Sequence, residues 1–194
     1  MNHHKSSLYY SPFHKIVKIG VVLMKIDIPL TPSGYLPDRY SKHAASTELY
    51  QGYPLVSPPL TITDIPAGTV SLALTFLDFD AVPVGGFVWI HWLAANIAPQ
   101  EVVQIPENAS QLTSTDFVQG RNSNAGKLVN ITDAKISQHY VGPQPPDQDH
   151  DYQLCVYALN RRLDLNNGYW YNDFHRQLEN SVIASTTIHV PGCV

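Results

Sequence analysis

The chain has 194 residues, enough for one domain with a proper core, and 44% of them are hydrophobic, which argues against disorder. Only 14% are charged, the formal net charge is -4, and no run of Lys or Arg exceeds the pair Arg161-Arg162, so a nucleic-acid footprint and a polybasic membrane patch are both excluded. Fifteen prolines and 11 tyrosines fit a protein of strands and loops better than a helical one.

Residues 1–24 read MNHHKSSLYYSPFHKIVKIGVVLM. The apolar part, Ile16 to Met24, is broken by Lys18 and too short to span a bilayer, and no small-residue cleavage site follows it. Residues 1–23 are therefore read as a non-essential leader, with Met24 as an alternative start, ahead of a single domain over 24–194. A cytoplasmic location is expected.

Val21–Leu30 reads as a first strand, stopped by Pro29 and Pro32. Residues 32–56 form a long loop with room for short strands. Pro66-Ala67-Gly68-Thr69 is a turn signal, and Val70–Leu77 is apolar and β-branched enough for a buried central strand. Asp78-Phe79-Asp80 follows at its end, then a turn through Val82-Pro83-Val84-Gly85-Gly86, then a second apolar strand over Phe87–Ile97. Residues 98–126 are loop-like, with a flexible polar stretch over Gly120–Gly126. Gly142-Pro143-Gln144-Pro145-Pro146 is a stiff loop, because proline fixes φ at three of its positions. Tyr152–Asn160 is a further strand. A helix is expected from about Asp173 to Ser181 with Asn172 as N-cap, and Val182–Val190 is a last strand. Such a string of short strands suggests a mainly β sandwich or Greek-key sheet. Cys155 and Cys193 lie far apart in sequence and read as free thiols.

The chemistry concentrates at strand ends. Residues two apart on a strand share a face, which pairs Asp78 with Asp80, Trp89 with His91, and His150 with Tyr152. A carboxylate at a buried strand end needs a partner, and an imidazole can supply one; the pair then favours the charged histidine. Two histidines beside backbone N–H groups could then accept a small anion such as phosphate, with Trp89 and Tyr152 excluding water. Taken singly, an Asp-x-Asp is more often a capped turn than a site, and a histidine in an apolar strand more often a core residue.

Two longer patterns bear on these residues. SPPLTITDIPAGTVSLALTFLDFDAVPVGGFVWIHWLAANI, residues 57–97, resembles the first signature region of the phosphatidylethanolamine-binding protein family, where a strand ending in D-x-D precedes a strand bearing an aromatic residue and a histidine. HYVGPQPPDQDHDYQLCVYALN, residues 139–160, resembles the second region, where G-x-x-P-P leads to a histidine and an aromatic residue. The bacterial and archaeal Raf-kinase-inhibitor-like branch is the most similar, and the resemblance covers about residues 24–190.

The resemblance implies a large antiparallel sheet packed on a smaller one, with a few short helices, one near the C-terminus. It implies a ligand site of Asp78, Asp80, Trp89, His91, Pro145, His150 and Tyr152 that holds phosphate-like or carboxylate anions. The chain departs from the family pattern at Phe79, which replaces a proline, and at Asp151, which replaces a basic residue. Asp147, Asp149 and Asp151 make the rim acidic. The expected function is a non-catalytic, regulatory small-anion-binding protein. Inhibition of a protease or kinase through surface loops, and weak hydrolysis, remain alternatives. Ser57 lies in no G-x-S-x-G elbow, and no H-x-H or H-E-x-x-H spacing points to a metal, so no catalytic residue, metal or cofactor is expected. A homodimer is compatible with the sequence, and no protein partner is identified by it.

Overall fold

A computed structural model describes residues 24–112 and 116–194. The leader over residues 1–23 and the first residues of the expected strand Val21–Leu30 lie outside the described residues.

The centre of the molecule is a five-stranded antiparallel sheet. In chain order its strands are β5 (Ser71–Asp78), β6 (Trp89–Ile97), β8 (Val118–Gln119), β9 (His150–Leu159) and β10 (Val182–Gly192), arranged in space as β10-β9-β5-β6-β8. β5 and β6 are sequence neighbours, whereas β9 returns over a long connection to pair with β5 on the opposite side from β6, as Greek-key sheets do. A smaller sheet of β1 (Lys25–Asp27), β4 (Leu60–Thr63) and β7 (Val103–Ile105) has the order β1-β4-β7. Between them along the chain, β2 (Leu49–Tyr50) and β3 (Tyr53–Pro54) form a minimal hairpin.

Every residue of β5 is buried, which explains its unbroken apolar run. Its alternate side chains feed two cores. Leu72, Leu74 and Phe76 pack with Leu60, Ile62, Val103 and Ile105 of the small sheet, making the sandwich. Ala73 faces the other way, toward Leu159, Leu163, Tyr169 and Phe174. That second face is covered by helix α3 (Tyr171–Leu178), whose Tyr171, Phe174 and Leu178 recur at helical spacing on one side.

Several expected boundaries shift. Helix α3 begins at Tyr171 rather than Asp173, and Trp170 holds the cap position without a side-chain cap. The aromatic stripe sets the start, and Asn172 instead sits in the first turn, donating to Asp173. The expected turn at residues 82–86 is a single helical turn, α1 (Val82–Gly85), closed by Gly86 at φ 83. The loop expected over 98–126 contains β7 and β8, short edge strands without enough residues to show an alternating pattern. A short helix α2 (Ala134–Ser137), capped by Asp133, was not expected at all. Cys155 and Cys193 are both free.

Candidate functional site

The cavity of interest lies where the ends of β5, β6 and β9 meet. It has a volume of about 330 Å³ and is lined by Asp78, Trp89, His91, His150 and Tyr152, together with apolar Ala81, Val84, Val129, Val141 and Pro146.

Asp78 is the last residue of β5 and pairs in register with Trp89 on one side and Tyr152 on the other. It is almost wholly buried. Its Oδ1 accepts the backbone N–H of Ala81 at 3.0 Å, in the turn that follows, and its Oδ2 accepts His150 Nδ1–H at 2.8 Å. The second ring nitrogen of His150, Nε2, donates to Asp147 Oδ1 at 3.0 Å. Carboxylates on both ring nitrogens favour the doubly protonated, charged ring. Burial works against that charge, but the hydrogen bonds to Asp78 and Asp147 outweigh it and raise the His150 pKa above the ordinary histidine value.

His91 is held differently. The pairing of β5 with β6 passes from Phe76↔Trp92 to Leu77↔Ile90, so β6 carries one extra residue there, and His91 is that residue. A bulge of this kind re-aims a side chain. It turns His91 against Phe76 and Tyr152, with ring centroids 5.8 and 5.1 Å apart and both contacts edge-on. Nδ1–H donates to the Val141 carbonyl at 2.7 Å. Burial pushes the His91 pKa down to about 4, against the pull of that carbonyl, so the ring is neutral near pH 7 and Nε2 bears a lone pair. The two histidines are therefore shifted in opposite directions.

Tyr152 lies between them, 5.1 Å from His91 and 6.2 Å from His150 by ring centroid. Its hydroxyl is buried without a hydrogen bond of normal geometry. Burial, and then the nearby Asp78 carboxylate, raise its pKa and keep it protonated. Asn124 adds a second unused donor: it is one of the lining residues, and its Nδ2 is buried and unpartnered. The stretch Gly120–Gly126 is thus not a free polar loop. Asn122 caps the short 3₁₀ turn Ser123–Ala125, and its amide reaches the carbonyls of Ile136 and His139, while Ser123 Oγ accepts the Ile90 N–H.

The proline loop forms the fourth wall. Gly142 N–H donates to the Pro54 carbonyl, Lys42 N–H to Pro143, and Lys42 Nζ to Pro145. Gly142, Gln144 and Pro146 face the cavity, and Tyr53 faces it from the hairpin beyond.

Of the seven expected site residues, Asp78, Trp89, His91, His150 and Tyr152 line one cavity. Asp80 and Pro145 do not, which corrects their placement. Asp80 has left the strand and accepts the Asp151 N–H at 2.8 Å, tying the turn after β5 to β9. Pro145 is buried behind the wall, and its carbonyl is taken by Lys42. Asn124 and Gln144 were missed; both are uncharged amides in loops, and only the stiffness of the proline loop hinted at a wall. Among the described residues no group of three or more His, Cys, Asp or Glu side chains is arranged to hold a metal ion. None of the described helices is long and apolar enough to cross a membrane.

Comparison with known proteins agrees with this architecture. The family model described as phosphatidylethanolamine-binding protein matches residues 28–191. The chain is 44% identical over 167 residues to YxkA, an uncharacterized protein of Bacillus subtilis, covering 86% of this chain and 98% of that one. It is 31% identical to a UPF0098 protein of Methanothermobacter thermautotrophicus, over 80% of this chain and 88% of the relative. Among solved structures, a phosphatidylethanolamine-binding protein homolog from Chlamydia trachomatis superposes with a TM-score of 0.68 at 25% identity, covering 88% of this chain and 97% of that one. Escherichia coli YbcL superposes with the same TM-score at 24% identity, covering 88% and 98%.

Proposed function

The chain belongs to the phosphatidylethanolamine-binding protein family, and from that premise we propose that it is a non-catalytic ligand-binding protein whose cavity takes a small anionic group, a phosphate or a carboxylate, against His150. One observation carries this reading: the almost wholly buried His150, whose pKa is raised against burial by its hydrogen bonds to Asp78 and Asp147, stands in the wall of a cavity of about 330 Å³ that Asp78 lines beside it. An imidazole favoured in its charged form offers its N–H groups to oxygen acceptors in charge-assisted bonds, the stronger class, and Asp147 is the acceptor now on Nε2. The unused donors of Asn124 and Tyr152 add two more contacts suited to oxygen. The apolar remainder of the lining removes water from the contact and strengthens it.

The non-catalytic half of the reading rests on the lining. It contains no serine, threonine, cysteine or lysine that could attack a substrate. A regulatory role follows if ligand occupancy changes the surface around the cavity mouth.

The test is isothermal titration of the protein with inorganic phosphate and with acetate. Saturable heat is expected, and His150→Gln, which keeps volume but not charge, is expected to abolish it. Absence of heat with both anions in the unaltered protein and in Asp147→Ala alike would contradict the proposal.

A further inference from the structure

The outer N–H of His150 is not free in this structure. Asp147, three residues earlier, places Oδ1 on it at 3.0 Å. We propose that Asp147 is a built-in competitor: its carboxylate occupies the place on His150 Nε2 that an anionic ligand takes, so that it sets the affinity of the cavity by having to leave first. This inference rests on the anion-binding reading of the same cavity.

Three observations support it. First, the two carboxylates on His150 are not equivalent. Asp78 is 5% exposed and also held by the Ala81 N–H, whereas the Asp147 side chain is 52% exposed. The Asp147 side chain has one hydrogen bond among the described residues, the one to His150. Secondly, departure of Asp147 needs only a side-chain rotation into solvent, because its side chain is half exposed while the imidazole stays beside Tyr152. Thirdly, the exchange keeps His150 paired. A ligand carboxylate replaces a protein carboxylate on the same N–H, so the ion pair with His150 is remade rather than lost. The same arithmetic disfavours a doubly charged anion, which would add a negative charge within reach of Asp78.

The other acidic rim residues serve as controls. Asp149 accepts Tyr35 Oη–H and the Val194 N–H, and Asp151 pairs with His189; neither touches His150. A general repulsion of anions by the rim would make Asp147 and Asp149 equivalent, whereas direct competition would not.

The experiment titrates acetate and inorganic phosphate into the unaltered protein, Asp147→Ala and Asp149→Ala, and follows the His150 ring by NMR across pH without ligand. When a competitor holds the site closed nine-tenths of the time, its removal tightens apparent binding by on the order of tenfold. Asp147→Ala is expected to bind both anions about that much more tightly, Asp149→Ala to within about twofold of the parent, and the His150 titration midpoint to fall in Asp147→Ala alone. Equal binding by the parent and Asp147→Ala overturns the inference while leaving the anion reading standing. Equal gains from Asp147→Ala and Asp149→Ala, or a His150 midpoint unmoved by Asp147→Ala, also overturn it. Failure of Asp147→Ala and the parent alike to take up either anion overturns both readings together.

Discussion

Asp78 and His150 are each almost excluded from water, and each is tolerable there because of the other. Removing Asp78 leaves the buried His150 Nδ1 without its partner, with the half-exposed Asp147 still on Nε2. Asp78→Ala is expected to lower stability by about 1–3 kcal/mol in urea unfolding, and more than Asp80→Ala, whose carboxylate makes only a rim hydrogen bond. Equal effects of the two would contradict the roles assigned to them. His91 and His150 pull the pH dependence in opposite directions. His91 holds a native pKa of about 4 against 6.5 for the free side chain. As pH falls below about 6.5 the unfolded chain takes a proton that the native ring refuses until about 4, so stability falls, by about 3 kcal/mol over the whole window. The raised pKa of His150 contributes stability that is present below the unfolded value and is lost as pH rises through the native one. Urea midpoints measured between about pH 7 and about pH 4.5 should drop less in His91→Gln than in the parent. The charged and aromatic members of the site were legible in the sequence because few residue types can do their work at a buried strand end. Asn124 was not, because an amide in a loop shows its purpose only when its burial is known. The opposite pKa shifts of the two histidines were also hidden, since they depend on burial and on which groups meet each ring nitrogen.

The elements that aim these side chains are short and individually weak. One extra residue in β6 turns His91 toward the cavity, and the proline loop leads into Asp147 and His150, which are hydrogen-bonded to each other. Gly142 shows how closely that loop is packed: a Cβ there would lie 2.1 Å from the Tyr40 carbonyl oxygen, which is backbone and cannot rotate away. Gly142→Ala is expected to cost about 1–3 kcal/mol and to weaken anion binding as well, because the wall must shift. Unchanged stability and affinity in that variant would show the loop to be free of this constraint. The long strands β5, β6 and β9 and the stiffness of the proline loop could be read from apolar runs and fixed φ. The edge strands β7 and β8, the small helix α2 and the anchored turn at Ser123–Ala125 could not. They have too few residues to carry a period, and their hydrogen bonds go to partners distant in sequence.

Across the whole molecule, the large sheet separates two cores with different duties. The face toward the small sheet runs through Phe76 to the cavity, while the face toward α3 packs around Phe174, remote from it in the second cluster. Phe174→Ala is therefore expected to destabilise by about 3–5 kcal/mol in thermal unfolding yet leave anion affinity unchanged below the transition. A parallel loss of affinity would mean that the two faces are coupled. The sandwich itself was foreseeable, since alternating buried strands with proline-marked turns leave little other way to bury both faces. The position of the cavity was foreseeable only through the two motifs that converge on it.

The central claim is that a small oxyanion binds to His150 inside this cavity. A crystal structure determined with acetate or inorganic phosphate in excess tests it most directly. The account predicts anion density against His150 Nε2, with Asp147 rotated into solvent and Asp78 unmoved on Nδ1. A cavity filled only by water, with Asp147 still seated on His150 at saturating anion, would contradict it.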